Sequence, residues 1–286
     1  MILIIGATGL VGGATVRQLT ALGVPVRALV RRPEKAAAMA GPNVETVLGD
    51  LEQPASLDAA LHGVTRALLI SPHHPRQVEL QGHFVEAARR AGAVHVVKLS
   101  GLGTGLDSPL QSGRWHAQTE QQLKHAGLPL TCLHPPFFMQ NILRSAQAIA
   151  AHGVLAAAMQ EGTIAMVEAR DVAAVAVAAL TTDGHAGKTY TITGPEALSF
   201  RQVAQKLAAA TGKQVTYQDI PLAAMRQHLV ETGIPAWLID VRMEFSTLLR
   251  ENHAATVTDT VEVVTGKPPR TFDAFAHEHA ALFRGA

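Results

Sequence analysis

An apolar run followed at once by closely spaced glycines is the feature that most constrains what this chain can fold into. The chain begins MILIIGATGLVGG, so four apolar residues lead directly into glycines at positions 6, 9, 12 and 13. Glycine inside a helix costs up to about 1 kcal/mol relative to alanine, so such a cluster needs a reason. The spacing predicts a buried strand, a tight turn, and a helix whose first turn comes close to another group.

The first half of the sequence alternates short β-branched runs with segments of helical spacing. Repeated strand–helix units place parallel strands side by side and cover both faces of the sheet with helices. The sequence therefore predicts an α/β fold with a Rossmann-type doubly wound parallel sheet. The predicted strands are residues 2–5, 25–30, 44–48, 66–70, 94–99 and 130–134.

Within that fold, the glycine turn predicts a dinucleotide site. The three glycines at positions 6, 9 and 12 allow a tight turn, the approach of a pyrophosphate to bare amides, and close packing of helix on strand. The positive end of the helix then faces the anion. The residues expected to hold the pyrophosphate are Gly6, Thr8, Gly9, Leu10 and Val11.

The end of the second predicted strand distinguishes between the two nicotinamide cofactors. An NAD site usually has a carboxylate there, whereas this chain has Arg31 and Arg32 in VRRPEK. Guanidinium groups suit a 2′-phosphate, so we expect NADPH, with NADH as a weaker donor. The alternative is an exposed basic helix start.

The ends of the third and fourth predicted strands supply further cofactor contacts. Asp50, followed by Leu51, is expected either to accept from the adenine amine or to cap the helix that begins near Pro54. Ile70, Ser71 and Pro72 end the fourth strand at the same edge of the sheet.

The alternating pattern changes after about residue 135, which predicts two parts. Residues 1–135 are expected to form the NAD(P)-binding Rossmann domain. Residues 136–286 are expected to form a smaller mixed α/β substrate-binding lobe, with the chain partly interleaved between the two.

Composition excludes several classes of function. A formal net charge of +1 provides no field for nucleic acid or an acidic membrane, so we expect neither partner. The single cysteine, Cys132, leaves no internal disulfide, and no metal site is expected, because His73 and His74 lack a third ligand at suitable spacing. With no visible secretory signal, we expect a cytoplasmic protein, and a homodimer is the default assembly.

Several stretches, taken in order, resemble one known family. They are GATGLVGG, VRRPEK, GDLEQPASL, LSGLG, HAQTEQQLKHAGLPLTCLHPPFFMQN and TYTITGPEALSFRQVAQKLAAATGK. Together they are similar to the NmrA-like group of atypical short-chain dehydrogenases over nearly the whole chain. The resemblance implies an NAD(P)H-dependent oxidoreductase and does not identify the substrate within the group.

The wider family uses a Tyr-x-x-x-Lys pair, which this chain lacks. Aligning Glu120 with the family's glutamate places His116 at the lysine position and Ser112 at the tyrosine position. We expect His116 to hold the ribose or carboxamide and to relay a proton, and Ser100 to donate to a bound acceptor. The alternative for His116 is a helix-face pair with Glu120 at i,i+4.

The resemblance also implies a wall beside the nicotinamide. In HPPFFMQN, Pro135, Pro136 and Phe137 would border the cofactor, while Phe138 and Asn141 would face the substrate. Apolar, aromatic walls suit a planar hydrophobic acceptor.

The sequence thus predicts an NADPH-dependent reductase that delivers hydride to a flat electrophile such as a quinone, an azo compound or a cationic dye. Such acceptors do not need the missing tyrosine. The alternative is a non-catalytic NADP(H)-binding redox sensor of the NmrA type. A sugar-nucleotide epimerase is a weaker reading, because it needs that tyrosine.

Overall fold

A computed structural model describes residues 1–92 and 94–285. Backbone contacts divide the chain into two compact units. The first comprises Met1–His134 and Val172–Thr191, and the second comprises Pro135–Asp171 and the chain from Ile192 onward. The substrate-binding role expected of residues 136–286 stays a prediction.

A seven-stranded sheet forms the centre of the first unit. Its strands are β1 (Ile2–Ile5), β2 (Val26–Val30), β3 (Val44–Leu48), β4 (Arg66–Leu69), β5 (His95–Leu99), β6 (Leu130–His134) and β9 (Thr189–Thr191). Their order is β3-β2-β1-β4-β5-β6-β9, and every neighbouring pair is parallel. The predicted Rossmann-type α/β fold is confirmed, with strand ends shifted by at most one residue.

The chain order reverses at β1, because β2 and β4 lie on either side of it. Parallel strands buried on both faces read as continuous apolar runs, and all four residues of β1 are buried. Ligands of such sheets bind outside the carboxyl ends of the strands near this reversal. The fold therefore places a candidate site at the end of β1.

Helices connect the strands. They are α1 (Leu10–Ala21), α2 (Pro33–Met39), α3 (Pro54–Leu61), α4 (Gln77–Ala91), α5 (Gln111–His125), α6 (Ala146–His152), α7 (Ala169–Thr181), α8 (Phe200–Thr211), α9 (Leu222–Glu231), α10 (Ala236–Arg250), α11 (Thr260–Thr265), α12 (Phe272–Glu278) and α13 (Ala280–Arg284). A 3-10 helix covers Met139–Ser145. In the described part of the chain, no helix combines the length and apolar character needed to cross a bilayer.

The second unit mixes helices with short strand pairs. Its strands are β7 (Val154–Ala157), β8 (Thr163–Ile164), β10 (Leu198–Ser199) and β11 (Thr216–Asp219). β7 pairs parallel with β11, and β8 pairs antiparallel with β10. Ser199 begins α8 with a capping box, in which its side chain accepts from the Gln202 amide and the Gln202 side chain accepts from the Ser199 amide. Fully buried Phe272, Phe275 and Phe283 anchor the last helices.

Candidate active site

The glycine turn joins β1 to α1 as the sequence predicted. Gly6 has φ +80°, a left-handed conformation that a side chain would strain, and its carbonyl accepts from the Gly9 amide at 2.9 Å. Gly9 is the N-cap of α1 and has no side chain to accept from the first-turn amides. The helix therefore presents an uncapped, electropositive N-terminus, which suits an anion.

Close packing explains the next glycines. A Cβ atom on Gly12 would overlap the carbonyl group of Gly6, so α1 packs on the turn backbone to backbone. A Cβ atom on Gly9 would lie 3.2 Å from the Gly6 carbonyl oxygen. The turn is thus a cradle that side chains would fill, as a bound pyrophosphate requires.

A cleft of about 410 Å³ opens above this turn, at the carboxyl ends of β1, β2, β3 and β4. All the residues that line it belong to the first unit. Nine of the residues predicted to hold the cofactor line it: Gly6, Thr8, Gly9, Arg31, Asp50, Leu51, Ile70, Ser71 and Pro72. Leu10 and Val11 lie in the first turn of α1, where Leu10 is exposed and Val11 is buried.

The two arginines of VRRPEK differ in placement. Arg31 lines the cleft, whereas the Arg32 guanidinium lies outside that lining and pairs with Glu34 at 3.3 Å. Arg31 is therefore positioned for a group bound at the end of β2. Arg32 is exposed at the start of α2, and its predicted contact with a 2′-phosphate stays a prediction.

Asp50 lines the cleft and does not cap α3, whose N-cap is Gln53. Its Oδ1 accepts from the Glu52 amide at 3.1 Å, an Asx turn that fixes the carboxylate at the end of β3. The capping alternative for Asp50 is thus wrong, and its adenine role stays a prediction.

Two buried glutamines on α4, which the sequence analysis missed, face the site. Gln81 donates to Ser71 Oγ at 2.6 Å, and Gln77 lines the cleft. In the described chain, the Oε1 atoms of both amides are buried without a hydrogen-bond partner. Their i,i+4 spacing on an otherwise apolar face is the signal that could have found them.

A buried polar network lies at the ends of β5 and β6, beneath α5. Lys98, fully buried in β5, donates from Nζ to Ser100 Oγ at 2.8 Å and lies 3.0 Å from His116 Nδ1. Ser100 Oγ donates to Glu120 Oε1 at 2.5 Å, and His134 Nε2 lies 2.9 Å from the same oxygen. Three secondary-structure elements thus converge on one charged cluster.

Gln77 connects this network to the cleft. Its Nε2 lies 3.3 Å from His116 Nδ1, so the same side chain contacts both places. His116 and Ser100, the two predicted catalytic residues, are both buried in the network. The Ser100 hydroxyl donates to Glu120. Donation from Ser100 to a bound acceptor stays a prediction, and it requires this hydrogen bond to break.

The charges of the cluster depend on one another. Burial lowers the pKa of Lys98 to about 8, against the opposing attraction of Glu120. Burial alone would raise the pKa of Glu120, but hydrogen bonds from His134 and Ser100 outweigh it and lower that pKa to about 2. Burial, and then the Lys98 charge, lower the pKa of His116 well below its ordinary value, so its ring is neutral.

The i,i+4 pair between His116 and Glu120 does not form: Glu120 Oε1 contacts Ser100 and His134, and His116 Nδ1 contacts Lys98 and Gln77. The His116 ring instead meets His73 edge-on, with ring centroids 5.6 Å apart. His74 lines the cleft, and its Nδ1 accepts from the Arg76 amide at 3.0 Å. The two loop histidines therefore serve the local structure of the site.

One group in the described chain brings three ligand-type atoms within 4.8 Å of one another: Glu120, Cys132 and His134. His134 Nε2 already pairs with Glu120 Oε1. Burial and the neighbouring Glu120 charge raise the pKa of the Cys132 thiol to about 12, which keeps it neutral. The expectation that the protein holds no metal stays a prediction.

The predicted nicotinamide wall belongs to the second unit. Pro135 and Pro136 are buried there, and the Phe137 ring stacks on Phe245 with centroids 6.5 Å apart. Phe138 forms an isolated parallel β-bridge with Val167. The backbone N–H of Asn141 donates to the Phe138 carbonyl at 3.0 Å. The roles of Pro135, Pro136 and Phe137 at the cofactor, and of Phe138 and Asn141 at the substrate, stay predictions.

The sheet order, the glycine cradle and the uncapped helix above it define the class: a Rossmann-type α/β protein with a dinucleotide cleft. The NmrA-like family model matches residues 1–276, and the chain belongs to that family. It is 43% identical over 286 residues, with all of both chains covered, to the NAD(P)H azoreductase of Xenophilus azovorans.

Two solved structures are also similar. An NADPH-dependent quinone oxidoreductase from Escherichia coli, complexed with NADPH, superimposes with a TM-score of 0.89 at 32% identity, covering 97% of this chain and 99% of the other. The Citrobacter sp. triphenylmethane reductase complexed with NADP(H) gives 0.87 at 26% identity, covering 98% and 100%. The predicted family resemblance is confirmed.

Proposed function

We propose that this protein is an NADPH-dependent reductase that transfers a hydride to a planar electrophilic acceptor, such as a quinone or an azo compound. The observation that carries the proposal is the cradle formed by Gly6, Gly9 and Gly12, which leaves bare backbone at an uncapped helix N-terminus. Relatives with this fold include reductases of both acceptor types.

The residues of the cleft fit this cofactor. The first-turn amides of α1 would receive the pyrophosphate, because Gly9 offers them no side-chain acceptor. Asp50, fixed by its Asx turn, would accept from the adenine amine. When bound, the reduced nicotinamide supplies the hydride of the reaction.

Arg31 supports NADPH over NADH. Its side chain lines the cleft at the end of β2, where a guanidinium favours a 2′-phosphate and stands in place of the carboxylate usual in an NAD site. NADH would lack that charge-assisted contact and serve as the weaker donor.

The proposed class of acceptor follows from the absence of the family's tyrosine. Residue 112 is Ser rather than Tyr, so the chain lacks the phenol that usually protonates the oxygen of a simple carbonyl. Quinones and azo compounds are already electrophilic, so positioning against the cofactor supplies most of the catalysis. Phe138 and Asn141 are the proposed acceptor contacts. We further propose a homodimer in the cytoplasm.

Oxidation of NADPH, followed by the loss of nicotinamide absorbance, tests the proposal. The panel should contain a quinone, an azo dye and a cationic triphenylmethane dye, with a simple ketone as the control acceptor. We expect turnover with at least one planar acceptor and none with the ketone. Tight NADPH binding with no turnover on any planar acceptor would overturn the proposal in favour of a redox sensor.

A further inference from the structure

A lysine buried inside a sheet strand is the feature that the cofactor site does not explain. Lys98 has no exposed surface, although its neighbours in β5, such as Val96 and Val97, are apolar. Burying an ammonium group is strongly unfavourable unless partners compensate. Its direct partners are Ser100 Oγ and one ring nitrogen of His116.

The geometry at His116 assigns the ring's tautomer. Lys98 Nζ and Gln77 Nε2, both donors, lie 3.0 and 3.3 Å from Nδ1, so this nitrogen is the acceptor. The proton of the neutral ring then lies on Nε2. In the described chain, no residue hydrogen-bonds Nε2, so that N–H is not committed to a protein acceptor.

Building on the proposed function, we propose that Lys98 is a positioning residue that holds His116 with Nε2 protonated. Lys98 then gives a proton to Nδ1 when Nε2 loses its own. His116 would thereby supply the second proton of the reduction. The lysine acts only through the histidine, and its ammonium group lies on the side of the ring opposite the donated proton.

The proposed step balances in atoms and electrons. A quinone gains a hydride, drawn from the reduced nicotinamide, and becomes a hydroquinone monoanion. That oxygen takes the proton from His116 Nε2, and the N–H bond breaks. Nδ1 takes a proton from Lys98 Nζ, which becomes a neutral amine. A solvent proton then returns to Nε2, and Nδ1 gives its proton back to Lys98.

Other groups around Lys98 tune this exchange. Glu120 on α5 and Cys132 on β6 interact with the ammonium charge, and the Glu120 carboxylate favours it. Ser100 links Lys98 to Glu120, and His134 completes that carboxylate's contacts. Burial opposes the charge and brings the pKa of Lys98 to about 8, near the range useful for proton transfer.

The first test uses the unmodified chain without cofactor. Nuclear magnetic resonance of protein labelled with 13C-lysine and 15N-histidine follows Lys98 Cε and both His116 ring nitrogens through a pH titration. We expect Nε2 to be protonated near neutral pH, and the Nδ1 shift to change with the same midpoint as Lys98. A protonated Nδ1, or separate midpoints, would overturn the inference whether or not the protein is a reductase.

The second test compares Lys98→Met with Lys124→Met, a control on an exposed lysine of α5. We expect K98M to lower kcat with a quinone by about tenfold, because the ammonium group that gives a proton to His116 is removed. The decline in kcat above about pH 8, where Lys98 loses its proton, should also disappear. The NADPH dissociation constant should not change, and K124M should match the parent. Unchanged kcat and pH profile in folded K98M would refute the relay while leaving the reductase intact.

Discussion

The backbone of Gly12 packs against Gly6 so closely that a Cβ atom at residue 12 would lie well inside 3.0 Å of the Gly6 carbonyl group. The contact joins the first turn of α1 to the turn that follows β1. Because it is backbone against backbone, no side-chain rotation can relieve an added methyl group. The position of the helix N-terminus therefore depends on the absence of a side chain at residue 12.

Gly12→Ala should consequently disturb both stability and cofactor binding. We expect a loss of about 1–3 kcal/mol in the free energy of unfolding, the usual cost of overpacking, and NADPH binding weakened by at least about tenfold. Urea denaturation and NADPH titration measure the two effects. Gly41→Ala is the matched control, since a Cβ atom there meets nothing within 4 Å. Equal behaviour of the two variants would contradict the packing argument.

Arg31 and Arg32 allow a second paired comparison. Arg31→Ala should weaken NADPH binding by about tenfold or more, because a charge-assisted contact to the 2′-phosphate contributes about 1.5–3 kcal/mol. NADH binding should stay nearly constant, since NADH carries no such phosphate. Arg32→Ala should change neither, as its guanidinium pairs with Glu34. Titration of both variants with both cofactors checks this, and a larger effect at Arg32 would reverse the assignment.

The cofactor turn was predictable because its signals are local. Gly6, Gly9 and Gly12 lie within seven residues, and Arg31 follows a strand whose apolar run is clear in the sequence. Continuous apolar runs also gave the sheet, since parallel strands are buried on both faces. Residues close together in the sequence therefore determine both the turn and the strands.

The polar network could not be predicted in the same way. Lys98, His116 and His134 come from β5, α5 and β6, and they meet through the parallel pairing of β5 with β6 and the packing of α5 on the sheet. The i,i+4 spacing predicts a pair between Glu120 and His116. In the structure His116 instead contacts Lys98, and Glu120 contacts Ser100. A lysine within the apolar run VHVVKL was the available clue, and it says nothing about its partner.

Glu120 should make the fold sensitive to acid. The pKa of Glu120 is lowered to about 2 from its ordinary value of 4.5. The ionised carboxylate therefore stabilises the fold fully above about pH 4.5, and this stabilisation is lost as the pH falls towards 2. The difference corresponds to about 3 kcal/mol. Glu120→Gln should flatten the dependence of unfolding free energy on pH across that range. Glu262→Gln, on an exposed carboxyl of α11, should keep it. Identical slopes for both variants would show that the network does not hold the charge.

Cys132 should be unreactive in the native protein. Its side chain is buried in β6, and burial together with the Glu120 charge raises the pKa of its thiol to about 12, so almost no thiolate forms near neutral pH. Because it is the only cysteine in the chain, alkylation by iodoacetamide gives one unambiguous mass shift. We expect none in the native protein at pH 8 and complete reaction after denaturation. Ala21→Cys, at an exposed position ending α1, is the positive control and should react at once in the native state. Native labelling of Cys132 at the rate of the A21C thiol would contradict this prediction and would mean that the strand opens readily.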